Sequence, residues 1–208
     1  TSAVVSGKVT PDGRPLLWKN RDTDFMRNHV DYVKGERYDF IAVVNSANAY
    51  LKEAWMGTNS SGFALMNTQS YNLVDVKGDE ERGAANGRVI YRALEVCATV
   101  EDFCHFLDTI SKPSDIEANF GVIDAQGGAA MFEVDYYKYV MYDANNPKDA
   151  PYGYIARTNF SFAGKVNEGA GYVRYMEADQ VLMKASATGN ITPQFIFNDL
   201  SRSFRNRM

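Results

Sequence analysis

The apolar positions change period along the chain, and the changes divide it into four blocks. The first block holds short apolar runs bounded by turn residues, the signature of strands. AVVSGKV and PLLWKN flank a Pro-Asp-Gly turn and predict a β-hairpin, with Gly13 suited to the turn. The polar stretch from Asp24 to Arg37, which carries His29 and Tyr32, predicts irregular structure. YDFIAVVN (38–45) and AYLKEAW (49–55) predict two strands, and the Ser-Ser-Gly turn of GTNSSGFALMNTQ feeds another. A charged loop around DEERG (79–83) opens a helical block. There Val89, Ile90, Ala93, Leu94 and Cys97 share one stripe over 86–98, and Val100, Phe103, Cys104 and Leu107 share another over 100–110. Period 2 returns in NFGVIDA, AAMFEVD, KYVMYD and YGYIARTNF. Two helices close the chain, Tyr172 to Lys184 and Thr192 to Ser203, the second opened by a Thr192 cap with proline at the next position.

Blocks of strands and helices segregated in this order predict an α+β fold. Two antiparallel sheets pack face to face, with helices covering the outside, as a four-layer αββα sandwich. With 208 residues and no linker or repeat, a single domain over 1–208 is expected. Apolar residues at 45% and charged residues at 23% are globular values, so composition changes nothing further. The net charge of −4 excludes a basic footprint, and nucleic acid is a poor candidate partner. No apolar run approaches the roughly 20 residues of a membrane span. Cys97 and Cys104 cannot build a disulfide framework and are read as small core side chains.

Linear motifs of nucleotide, zinc and serine-hydrolase sites are absent from the sequence. His29 and His105 supply little material for a triad or a metal site: His105 reads as a helix residue, His29 as solvent-facing. A chain short of histidine has another general base in its terminal α-amine, whose ordinary pKa is about 7.7–8.0. Thr1 carries the hydroxyl that such an amine could activate for attack on an amide carbonyl. No cofactor or metal is implied. Asn59, Asn159 and Asn190 lie in Asn-x-Ser/Thr sequons, which matter only in a eukaryotic secretory setting.

Several short blocks, in order, resemble the family of acyl-CoA:6-aminopenicillanic acid acyltransferase and related linear amide hydrolases. A more distant resemblance extends to choloylglycine hydrolases and penicillin V acylases. TSAVVSGKVTPDGRPLLWKNRDTD is similar to the family's first hairpin and ends in an Asn-x-Asp element at Asn20 to Asp22. GTNSSGFALMNTQS resembles a family strand that closes here on Asn67. IARTNFSF resembles a Thr-Asn-His block, with Thr158 and Asn159 retained and Phe160 where histidine is common. YVRYMEADQVL resembles the following helix and places Arg174 at its arginine. NFGVIDAQGGAAMFEVD fits the hairpin of the second sheet.

The resemblance implies an N-terminal-nucleophile hydrolase or acyltransferase that cleaves a linear, non-peptide C–N bond through an acyl-enzyme after autoproteolytic processing. Asp22 would orient the amine or nucleophile, and Asn67 and Asn159 would offer amide donors to the oxyanion. Arg174 would hold substrate, and Arg21 would line the pocket. The partner implied is a small-molecule amide. Two departures stand out. Family members carry a nucleophilic cysteine, and Thr1 and Ser2 match the positions just after it. They also continue past the last helices with strands that complete the sandwich. The nucleophile is therefore either a cysteine ahead of Thr1 or Thr1 itself, as in a threonine peptidase. A chain without chemistry, serving as a binding module on the same scaffold, is the third possibility. Homo-oligomers, or association with a C-terminal segment, are compatible with the pattern. A processed N-terminus favours export to the periplasm or cell surface over the cytoplasm.

Overall fold

The computed structural model describes residues 1–75 and 83–202. Most of the charged loop at 79–83, and Ser203 at the end of the last expected helix, lie outside them. The strands are β1 (Ser2–Val5), β2 (Leu16–Lys19), β3 (Asn28–Val33), β4 (Phe40–Asn45), β5 (Met56–Asn59), β6 (Ala64–Gln69), β7 (Ala118–Ile123), β8 (Ala129–Val134), β9 (Tyr139–Asp143) and β10 (Tyr154–Arg157). The helices are α1 (Asn86–Val96), α2 (Val100–Thr109), α3 (Tyr172–Ser186) and α4 (Pro193–Asn198). A small antiparallel sheet has the order β10-β1-β2, and a seven-stranded antiparallel sheet runs in sequence order from β3 to β9.

Side-chain alternation sorts these elements into four layers. In β1, Ala3 and Val5 pack with Trp18, Ala156, Ala178, Leu182 and Ile196 against α3 and α4. Val4 points the other way, to Met66, Met131 and Ile155 between the sheets. On the far side, Phe40, Leu65, Phe120 and Phe132 meet Ile90, Leu94, Phe103 and Leu107 of α1 and α2. Phe103 meets Phe132 edge-on at 5.0 Å and Phe120 at 5.9 Å, an arrangement that favours aromatic pairs. The expected αββα sandwich is the observed one, and α1 to α3 stand where the sequence placed them; the last helix is shorter than expected, since α4 ends at Asn198 and a 3₁₀ turn follows at Leu200–Arg202. Gly121 on β7 allows the sheets to meet: a Cβ there would collide with Met66 and Val4.

The differences fall at the periphery. The stretch read as irregular contains β3, an edge strand whose Asn28, His29, Val30 and Tyr32 are all exposed, so no alternation marks it. AYLKEAW is not a strand. It begins in a 3₁₀ turn over Ser46–Leu51, its Tyr50 faces solvent, and Lys52 takes φ of +54°, which breaks an extended run. β1 and β2 pair as expected, but a 3₁₀ turn at Gly7–Val9 lies between them. Cys97 is buried and Cys104 partly so, with no disulfide. Among the described residues no helix is long and apolar enough to cross a membrane. Asn59 is buried and donates to the carbonyls of Leu94 and Cys97, closing the end of α1, so its sequon cannot take a glycan in the folded chain.

Among the described residues one ion pair lies in the interior. Arg157 Nε donates to Glu133 at 2.6 Å, with the two residues 2% and 1% exposed. The guanidinium sits 3.8 Å from the Phe162 ring centroid and 5.0 Å from that of Tyr142. Glu133 also accepts the backbone N–H groups of Phe162 and Ala163, which ties the chain after β10 to β8. Glu133→Gln should therefore destabilise the fold by about 3–5 kcal/mol, because Arg157 stays buried without a counter-charge. Replacing both, Glu133→Leu with Arg157→Met, should recover much of that loss in urea denaturation. A single variant within about 1 kcal/mol of the wild type would show that the pair is not needed for stability.

Candidate active site

The register of β1 places the start of the chain between two segments that carry polar residues. Ser2 pairs with Lys19 on one side and Arg157 on the other. Asn20 N–H donates to Thr1 O at 2.8 Å and extends the pairing by one residue. Behind Thr1, Ser2 Oγ and Thr68 Oγ1 stand 2.6 Å apart and link the sheets. The open end holds a pocket of about 260 Å³, lined by Thr1, Lys19, Arg21, Asp22, Asn67, Asn159 and Arg174, with Phe25, Trp55 and Tyr71. All six residues singled out in the sequence thus share one pocket.

Arg174 is the centre of its polar contacts. Its Nη1 donates to Thr1 Oγ1 at 3.1 Å and its Nη2 to Asn159 Oδ1 at 2.7 Å. The residue lies in the first turn of α3, where a cation opposes the helix dipole at a cost of about 0.3–1 kcal/mol. Gly171, at φ +86°, makes the approach possible: a Cβ there would sit 2.7 Å from Arg174 Nη2. Asn159 follows the end of β10 in an isolated bridge to Ala170, and its Nδ2 donates to Gln69 O at 2.9 Å. Asn119, fully buried, donates to the carbonyls of Thr158 and Phe160 on either side of Asn159 and receives Ser161 Oγ. Phe160 fills the space expected of a histidine with a stack on Tyr172 at 4.1 Å.

Asn67 is buried, and its Oδ1 accepts from Lys19 Nζ at 2.8 Å. Its Nδ2 has no hydrogen-bond partner among the described residues. Lys19 also donates to Trp55 O at 2.9 Å. The Lys19 ammonium lies inside the protein, and burial first, then Arg21, lower its pKa to about 7. Sequence reasoning passed over Lys19. The signal was available: it ends β2 on the face opposite buried Trp18, so alternation turns its charge inward.

Arg21 Nη2 donates to Asn45 Oδ1 at 2.7 Å, and the guanidinium lies 5.1 Å from the centroid of the Trp55 ring. Asp22 is exposed at the pocket rim, and among the described residues it makes no hydrogen bond to the terminal amine. Its influence is through charge. With the amine on Thr1, burial, Arg174 and Lys19 lower the ammonium pKa to about 5, while Asp22 opposes them. The position thus favours a neutral amine, able to accept a proton. His29 lies outside the pocket, exposed and bonded to Ser46 Oγ, and His105 is exposed on α2. Among the described residues no three His, Cys, Asp or Glu side chains gather to hold a metal.

Comparison with known proteins agrees with this architecture. The chain superposes on an N-acylethanolamine-hydrolyzing acid amidase ortholog of Caenorhabditis elegans with a TM-score of 0.62 at 15% identity, over 96% of this chain and 88% of that one. A conjugated bile acid hydrolase of Clostridium perfringens gives 0.56 at 14% identity, over 97% and 74%. At these identities the likeness is one of fold. No curated protein sequence matches the chain. The profile of the acyl-coenzyme A:6-aminopenicillanic acid acyl-transferase family matches residues 9–188. Matched over most of its length, the chain belongs to that family, and it folds as an N-terminal-nucleophile amide hydrolase or acyltransferase.

Proposed function

We propose that this chain cleaves a linear amide by acyl transfer to a nucleophile at the N-terminal end of β1. The acyl group then passes to water or to an amine. The convergence of Lys19, Asp22, Asn67, Asn159 and Arg174 on a buried amine carries the reading. A neutral amine takes the proton of the nucleophile as it attacks the carbonyl, and the same proton goes to the departing nitrogen. Asn67 Nδ2, held by the grip of Lys19 on its carbonyl, supplies a fixed donor for the oxyanion. Arg174 orients Asn159 and adds positive potential at the nucleophile. Asp22 at the rim counters the cations and tunes the amine.

The nucleophile has two candidate placements, and the amine lies on whichever residue comes first. A cysteine ahead of Thr1 is the one implied by the family pattern, and strand alternation would turn it to the face of Ser2, away from Arg174. Thr1 itself is favoured by one observation, the Arg174 contact on its Oγ1. Intact mass and N-terminal sequencing of the mature protein from its natural source, beside an amide-hydrolysis assay, separate them. A cysteine in front of Thr1, with activity retained in Thr1→Ala, establishes the first. A free Thr1 amine with turnover abolished in Thr1→Ala establishes the second. Ligand binding without turnover in either form would leave a binding module and sink the proposal.

The charges give signed expectations for kcat/KM. With the amine on Thr1, the rate rises as pH climbs through about 5, where the amine loses its proton. It falls through about 7 as Lys19 loses its charge. Arg174→Gln removes a cation that holds the amine pKa down, so the acid limb should move to higher pH; Asp22→Asn should move it lower. An acid limb unmoved in both variants would separate the amine from the reaction. Asn67→Leu should lower kcat by about 10²–10³-fold with little change in KM, as loss of an oxyanion donor does. A defect confined to KM would assign Asn67 to substrate binding instead.

A further inference from the structure

Three polar side chains break the apolar face that the large sheet turns to the small one. Thr68, Asn119 and Glu133 stand opposite one another on β6, β7 and β8, and all three are buried. The next row along the same face is apolar, with Met66 and Met131 packed on Val4 and Ile155. Each member of the polar row reaches the small sheet or the chain leaving it. Thr68 Oγ1 meets Ser2 Oγ, and Glu133 holds Arg157 and the amides of Phe162 and Ala163. Asn119 reaches the chain between these two contacts. Its Nδ2 donates to Thr158 O at 3.2 Å and to Phe160 O at 3.1 Å, and its Oδ1 accepts from Ser161 Oγ at 2.6 Å. Both amide hydrogens of Asn119 are thus used on the carbonyls that flank Asn159.

We infer that Asn119 is a positioning residue, which sets the Asn159 side chain in the pocket from the opposite sheet without touching substrate. This rests on the amidase reading of the same pocket. Beyond Arg157 the chain leaves its pairing with β1, and Asn159 keeps one isolated bridge to Ala170. On that side Asn159 O accepts the Ala170 N–H at 3.1 Å. The carbonyls before and after it are buried and need donors that no strand supplies. Asn119 supplies both from one side chain. With its backbone held on both sides, Asn159 directs Oδ1 to Arg174 Nη2 and Nδ2 to Gln69 O. The second Nδ2 hydrogen makes no bond among the described residues and is available to a ligand in the pocket. Few side chains could replace Asn119. Aspartate would face the two carbonyls with no hydrogen to offer, and leucine would leave both unpaired.

The test is a double-mutant cycle of Asn119→Ser and Asn159→Ala in the mature protein, with acyl p-nitroanilides of increasing acyl length as substrates. Rates are taken on protein shown to be folded by circular dichroism. Asn119→Ser should lower kcat by about 10- to 100-fold with KM within about 3-fold of the wild type, as a small misplacement of a reacting group does. In the Asn159→Ala background the same change should lower kcat by less than about 3-fold, since the group it positions is gone. Ser161→Ala removes the donor that orients Asn119 and serves where Asn119→Ser does not fold; it should lower kcat in the same sense, to a smaller degree. The Asn159 side-chain amide signals in NMR spectra, identified by their loss in Asn159→Ala, should shift in Asn119→Ser or Ser161→Ala. Equal fractional losses of kcat in both backgrounds would assign Asn119 to stability alone and overturn the inference, with the amidase reading intact. Asn159 signals that stay in place would overturn it too. Absence of turnover of every anilide by the wild type would sink the amidase reading, and the amide signals alone would then decide whether Asn119 sets Asn159.

Discussion

The position of β1 in the middle of the small sheet is the constraint on which the site depends. Flanked by β2 and β10, the strand carries its own first residue to the point where Asn20–Asp22 leaves one neighbour and Thr158–Asn159 leaves the other. Register is strict here because both faces of β1 are buried, Ala3 and Val5 against α3 and α4, Val4 against the large sheet. A slip of one residue would exchange the two faces and place Thr1 away from Arg174. The same pairing withdraws Thr1 from water, so an amine placed on Thr1 is held below its ordinary basicity.

Crowding Lys19 and Arg174 around the buried Thr1 is unfavourable, and the fold contains the means to hold them there. Arg174 stands against the dipole of its own helix and is retained by Asn159 and by the clearance at Gly171. Asn159 is in turn fixed from below. Asn119 grips the carbonyls before and after it, Glu133 grips the amides that follow, and Asn72 reaches Ser161 from the end of the large sheet. These buried polar groups satisfy one another, which gives the segment after β10 a single conformation although it is not regular structure.

The central elements were legible in the sequence because packing on both sides imposes a period. β7 and β8 show it in apolar runs interrupted by Asn119 and Glu133, and α1 shows it as a stripe. β3 escaped because an edge strand with two exposed faces has no period to display, and 49–55 misled because Tyr50 and Leu51 are apolar residues turned outward. The site residues followed a different route. Asp22, Asn67, Asn159 and Arg174 lie far apart in the chain, and no spacing joins them; only resemblance to a family named them together. Lys19 and the Arg157–Glu133 pair were missed because a charge facing inward looks the same in sequence as one facing solvent until the partner strand is known.

The pocket separates its cations by what already holds them. Lys19 is bound to a carbonyl and an amide oxygen and has lost much of its hold on a proton; Arg174 is bound to Thr1 and Asn159; Arg21 keeps most of its donors in reserve. Groups whose bonds are satisfied are fixed and suited to shaping the reaction. A group left unsatisfied is the one whose energy falls when a ligand arrives, and binding is driven by that difference. The satisfied contacts of Arg174 lie on the side of β1 and α3, and the unpaired donors of Arg21 lie beside Trp55. Two sheets meeting at one end supply both walls.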